Sequence, residues 1–212
     1  MKKNLKFTAI LLMLVGCFTS CSKEDIISDK EGYVQIMEAP LSVKVTNLKN
    51  EHIAFAKFYV TYYNNGEWPH LEFSTNYGND GFELDFPATI PDEYLQSASN
   101  NGVPLSDIQA KIVSVHIDAH NVADENIGGF SFRSDKWGIE FKYADRDFIE
   151  KGISEYGVEF DCSYKKGWNV VYCTSDGGVK RTTQKPLNEE FKCYFSYNRV
   201  DAENSIIGKW SI

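Results

Sequence analysis

Long apolar runs are missing from this 212-residue chain: the longest, residues 7–15 (FTAILLMLV), covers nine positions. Nine residues of helix span roughly 14 Å, well short of the ~30 Å core of a bilayer, so no segment reads as a membrane span. Basic charge is also scarce, with 22 Lys and Arg against 30 Asp and Glu and a net charge of -8. Lys2, Lys3 and Lys6 all precede position 21. Without that segment 19 basic residues face 30 acidic ones, a net of -11. A chain so charged repels phosphate backbones, and no basic stripe offsets this, which excludes nucleic acid as a partner and anionic lipid as a purely electrostatic one. There are five cysteines and no C-x-x-C, so a zinc ribbon is excluded. G-x-S-x-G, P-loop, G-x-G-x-x-G and H-E-x-x-H motifs are all missing. The sequence therefore points to no catalytic centre, no metal and no cofactor.

What is present is an address. A short basic stretch up to Lys6 and the nine-residue apolar run make a signal peptide, because nine consecutive apolar residues leave no polar face for a buried amphipathic helix. Leu14-Val15-Gly16-Cys17 resembles a bacterial lipobox, and Phe18-Thr19-Ser20-Cys21 is a looser match. Cys21 is followed by Ser22-Lys23-Glu24-Asp25, which resembles the export signal of Bacteroidetes surface lipoproteins. The expectation is acylation of Cys21, with Cys17 as the alternative. Each buried methylene contributes roughly 0.8 kcal/mol, so two or more acyl chains hold a protein stably on a membrane. Residues 1–20 are then the signal peptide and residues 21–32 a lipidated cysteine with a polar tether. Residues 33–212 form one domain on the outer membrane, facing the cell exterior or the periplasm.

In that domain the dominant period is two. Residues 41–46, 82–86, 139–143, 158–164 and 191–197 alternate apolar and polar positions, and 54–63 and 111–120 are rich in β-branched and aromatic residues. Turn chemistry falls between them, as in Asn64-Asn65-Gly66, Asn79-Asp80-Gly81 and Lys166-Gly167. Only residues 91–99 (PDEYLQSAS) read as helical, for two turns. This pattern predicts an all-β antiparallel sandwich, immunoglobulin-like or related, of about nine or ten strands, with a barrel as the alternative.

Residues 165–172 (KKGWNVVY) read as a turn entering a strand, with Trp168, Val170 and Tyr172 on one face. This KKGWN hairpin, with the signal segment, is similar to one in small lipoproteins of gut Bacteroidetes. The resemblance covers about a fifth of the chain. It implies a family without established activity, so it brings no catalytic residues.

Cys162 and Cys173 stand at similar distances from the centre of that hairpin, so a disulfide between them is a candidate if the register places them opposite each other. Cys193 shares a face with Phe191 and Phe195 and reads as a small buried hydrophobe. His116 and His120 lie on a strand pattern, about 13 Å apart, too far for one metal. With Ser114 and Asp118 they read as a solvated face. Residues 76–81 (NYGNDG) resemble a calcium loop superficially, but Gly78 and Pro87 occupy positions that need oxygen ligands, so a turn is the reading.

Trp68, beside Pro69, and Trp137, after Ser134-Asp135-Lys136, sit at loop edges and are candidate ligand platforms. The expected role is non-catalytic: binding of a glycan or another extracellular ligand. The alternatives are a structural or assembly subunit of an envelope complex, with an envelope protein as partner, and an envelope hydrolase.

Overall fold

The computed structural model describes residues 41–47, 52–61, 70–174 and 177–197. Cys17, Cys21 and the rest of residues 1–40, and also Trp68, lie outside the described residues. Thirteen strands follow one another: β1 (Leu41–Lys44), β2 (Phe55–Thr61), β3 (His70–Asn76), β4 (Gly81–Leu84), β5 (Gln96–Ser97), β6 (Lys111–His120), β7 (Asn126–Arg133), β8 (Trp137–Ala144), β9 (Phe148–Ile153), β10 (Glu159–Tyr164), β11 (Gly167–Thr174), β12 (Lys180–Thr182) and β13 (Lys192–Tyr197). The all-β expectation holds, and no α-helix occurs among the described residues. The strand count exceeds the nine or ten expected. Strands such as β5, with two residues, and β12, with three, are too short to show alternation.

Eleven strands form one open sheet in the order β3-β2-β6-β7-β8-β11-β12-β10-β9, with β13 on β7 and β5 on β6. β6 changes partner along its length. It pairs with β8 through Ile112–Val115 and with β7 at Asp118, Ala119 and His120. β7 therefore departs from the main sheet between β6 and β8 and carries β13 with it. Separately, β1 pairs with β4, and a parallel bridge between Val45 and Cys193 ties β1 to β13. The result is consistent with a sandwich, in which β4-β1-β13-β7 lies over part of the larger sheet.

Gly128 shows why this second layer closes tightly. A Cβ there would collide with the Ser196 backbone oxygen and the Phe195 ring, so only glycine lets β13 lie against β7.

Between the layers sits the main core, drawn from Val43, Phe58, Val60, Phe82, Leu84, Val113, Phe130, Phe141, Trp168, Tyr172, Cys193 and Phe195, among others. Aromatic rings fill it in offset and edge contacts, as between Phe86 and Trp168 at 4.4 Å. A second core covers the opposite face of the large sheet. There Val171, Ala144, Phe160, Cys162, Tyr164 and Phe148 meet Ala98, Val103 and Ala110 from the connection before β6. β8 and β11 are therefore covered on both faces, and five consecutive residues of β11, from Trp168 to Tyr172, are buried.

The helix read at residues 91–99 does not form. A 3-10 turn spans Asp92–Tyr94, Leu95 is extended, and a second 3-10 turn spans Ala98–Asn101. Leu95 packs into the main core and Ala98 into the second one. Two anchors in different cores pull the segment straight, and an isolated helix this short has no cooperative reserve to resist.

The hairpin at Lys165-Lys166 also departs from expectation. β10 and β11 do not pair along their length, because β12 enters between their open ends, parallel to β10 and antiparallel to β11. Cys162 lies two residues before the end of β10, whereas Cys173 lies six after the start of β11. The turn is thus off-centre between them, and the two are not opposed. Both thiols are free and the candidate disulfide is not formed.

Candidate functional site

A recess lies where the second layer stops. Strand register lines up Trp137, Thr174, Lys180, Glu159 and Ile153 across β8, β11, β12, β10 and β9. A second line, two residues on, holds Ile139, Tyr172, Thr182, Asp161 and Lys151. Both lines share one face of the sheet, since side chains alternate along each strand. On β8 and β11 this face is covered: Tyr172 is 3% exposed and touches Phe191, with ring centres 5.2 Å apart. Beyond β11 the cover ends, and Lys180, Glu159, Asp161, Lys151 and Ile153 reach solvent.

At that step Trp137, half-buried, forms one wall of an open cleft of about 300 Å³. Asp161, Lys180 and Thr182 rise from the sheet, and Gln184, Lys185, Pro186 and Leu187 close the far side. The connection from β12 to β13 builds that side as it crosses between layers. The Thr182 hydroxyl accepts from the Gln184 amide at 3.1 Å and fixes the start of the crossing. Trp137 is itself held: its amide donates to the Ser134 hydroxyl at 3.1 Å, and Thr174 Oγ1 donates to the Lys136 carbonyl at 2.7 Å. Leu187 is 90% exposed, which is unusual for a leucine beside an indole.

Four of the charges on the sheet here are paired. Lys180 reaches Glu159 at 2.9 Å, and Lys151 reaches Asp161 at 3.1 Å. A smaller polar recess of about 220 Å³, lined by Ser134, Asp135, Asn188, Glu189, Glu190, Lys192 and Tyr194, adjoins the same connection.

Trp168, by contrast, belongs to the core. Its indole N–H donates to the Pro87 carbonyl at 2.8 Å, and it is 7% exposed. Of the two tryptophans singled out by sequence, Trp137 lines a cleft and Trp68 lies outside the described residues. Sequence reasoning missed Asp161, Lys180, Thr182, Gln184, Lys185 and Leu187. Residues 183–191 carried the one signal, a polar stretch with Pro186 between two strands.

The histidine pair does not form a uniform solvated face. Both residues lie on β6 as expected, but only His116 is exposed, while His120 is 5% exposed. His120 Nδ1 lies 3.0 Å from Asp124 Oδ1 and Nε2 lies 3.2 Å from the Tyr59 hydroxyl. Lys57 bridges Glu72 at 2.7 Å and Asp124 at 2.9 Å. Hydrogen bonds to Asp124 and Glu72 hold the Lys57 ammonium well above its ordinary range. The Lys57 contact in turn holds the Asp124 carboxyl below the usual carboxylate range. Burial raises the Tyr59 phenol, so it stays protonated rather than becoming a nucleophile. Both ring nitrogens of His120 are occupied, and neither cleft reaches it. The network ties the β6–β7 turn to the sheet. No group of three or more metal-ligating side chains occurs among the described residues.

The described thiols are buried or nearly so. Burial pushes Cys162 up to about 11 and Cys173 and Cys193 up to about 12, which keeps them as unreactive thiols at neutral pH. Cys193 sits in the main core beside Phe195, as its strand pattern predicts. The segment read as a turn at residues 76–81 is one: Asn79 and Asp80 both have positive φ, and Gly78 and Gly81 exchange backbone hydrogen bonds at 2.9 and 3.0 Å.

No family model, curated protein or solved structure matches this chain.

Proposed function

We propose that the chain is a lipid-anchored lipoprotein of the bacterial outer membrane whose β-sandwich binds a glycan without catalysing a reaction on it. The observation that carries the binding reading is the Trp137 cleft. A partly buried indole stands beside carboxylate, amide, hydroxyl and ammonium groups at the border of two layers. An indole face offers a π surface to the C–H side of a pyranose ring, while Asp161 and Gln184 offer acceptors and donors to its hydroxyls. Convergent polar groups around an aromatic wall are the usual make-up of a small-molecule site. The anchoring reading rests on residues 1–25 and on the polar, acidic stretch that follows.

A glycan array probed with the full-length protein in detergent tests the first part. Selective binding, lost in Trp137→Ala, supports it. An array with no specific signal refutes it. Mass spectrometry of the N-terminal peptide tests the second part: acyl chains on Cys21 support it, and an unmodified Cys21 thiol refutes it.

A different observation favours an assembly role as the second reading. The outer edge of β3 has no partner strand among the described residues, and such an edge suits strand addition by an envelope protein. Cross-linking from Glu72 or Ser74 on intact cells would show a specific adduct if this is so.

A further inference from the structure

The two lines of residues that begin at Trp137 and Ile139 continue past the cleft. They cross β12, where Thr182 is still only 5% exposed, and then β10 and β9, which the second layer leaves open. Exposure rises along the way: Tyr172 is 3% exposed, while Ile153 at the far end is 70% exposed. From β8 to β9 there are four strand spacings, about 19 Å at ~4.8 Å each. A single sugar ring against Trp137 would use only the first part of that length.

From this the geometry points to an extended site: a shelf that holds an uncharged, linear oligosaccharide across the strands, from Trp137 to Ile153, rather than a single terminal sugar. The inference rests on the glycan-binding reading above and specifies its ligand. Three features support it. First, the shelf is continuous with the cleft, because Lys180 and Asp161 belong to both. Second, the four charged side chains on the sheet cancel in pairs, Lys180 with Glu159 and Lys151 with Asp161, and Lys185 on the far wall of the cleft is the one further charge lining it. In a chain of net charge -8, a locally balanced surface favours neither an acidic nor a basic ligand. It still presents ammonium donors and carboxylate acceptors to hydroxyls. Third, apolar groups flank the polar middle, with Trp137 and Leu187 at one end and Ile149 and Ile153 at the other. Ile149 pairs with Ser163 on the same face and is 47% exposed. Sugar rings present C–H faces as well as hydroxyls, so alternating apolar and polar ground suits a chain of them.

The test is calorimetric titration of the full-length protein in detergent with neutral linear oligosaccharides of glucose, xylose, mannose and N-acetylglucosamine, each from disaccharide to hexasaccharide. Oligogalacturonate serves as an acidic comparison. The expected result is an affinity that rises about tenfold or more with length in at least one neutral series. The double variant Lys151→Ala, Ile153→Ser lowers hexasaccharide affinity to the disaccharide value, and Ile153→Trp, which adds a second stacking surface, raises it. Both positions are exposed, so these changes leave the core intact. If affinity is independent of length while Trp137→Ala still abolishes binding, the shelf is refuted and the glycan reading stands. Preference for the acidic series likewise refutes the uncharged ligand. If no series binds and Trp137→Ala changes nothing, the glycan reading falls and the shelf with it.

Discussion

Asn169 brackets Lys165 across the tight turn between β10 and β11. Its Oδ1 accepts from the Lys165 amide at 2.9 Å, while its Nδ2 donates to the Lys165 carbonyl at 2.7 Å and to the Gly167 carbonyl at 2.9 Å. A buried side-chain amide thus takes the place of a strand partner at the point where the two strands begin to diverge. With Asn169 only 5% exposed, water cannot replace these bonds. Asn169→Ala should therefore cost about 3 kcal/mol, from hydrogen bonds worth about 1 kcal/mol each and backbone groups left unpaired. Urea unfolding should show a lower midpoint at an unchanged slope.

The tryptophans Trp137 and Trp168 should separate stability from binding. Trp168→Ala empties a core position stacked on Phe86, and removing a buried tryptophan costs about 3–5 kcal/mol. Trp137→Ala removes a half-buried cleft wall and should cost about 1 kcal/mol while abolishing glycan binding. Thermal unfolding of both variants, set beside a binding assay on Trp137→Ala, checks the contrast.

Asp124 gives a pH dependence with a definite sign. The Lys57 hydrogen bond holds its carboxyl below the ordinary value, so the folded state gains from its ionisation above the unfolded value near 3.9. That gain is lost as pH falls through the folded value. Asp124→Asn keeps a residue that tolerates the positive φ of 63° at this position. The variant should melt below the wild type at pH 7, and the gap should close below about pH 4. A gap that persists unchanged at acid pH would contradict the Lys57–Asp124 pairing.

Cys162, Cys173 and Cys193 should resist alkylation in the native protein at neutral pH, since their thiols are raised to about 11, 12 and 12. All three should react after denaturation without any reductant. Peptide mapping that found Cys162 linked to Cys173 would require β12 to leave its place between the arms.

Gly128 and Gly129 are adjacent but should respond differently. A methyl group at Gly128 would strike the Ser196 backbone, and such overpacking costs about 1–3 kcal/mol. At Gly129 the nearest atom is the Ile117 oxygen at 3.5 Å, an ordinary contact. Gly128→Ala should lower the melting temperature markedly more than Gly129→Ala.

Much of the fold was legible in residue order. Richness in β-branched and aromatic residues marked β6 at its observed bounds, and alternation set Trp168, Val170 and Tyr172 on one face, which the structure buries in one core, and Cys193 on the face of Phe195. What escaped was every feature that depends on one segment meeting another. β12 has three residues and shows no alternation, yet its entry between β10 and β11 decides the fate of the cysteine pair. His120 shares a strand face with His116, yet the β6–β7 turn folds back to bury it against Asp124 and Tyr59.

The candidate site divides the same way. Trp137 was visible as an aromatic residue beside a polar turn. Asp161, Lys180 and Gln184 were ordinary polar residues until the sheet set them next to it. The all-β class could be read from residue order alone, because period-two patterning is a local property that each strand carries within itself. Only the tertiary structure decided where the upper layer ends and the sheet lies open, because that depends on which strands share a register, and register is settled by contacts between segments far apart in the chain.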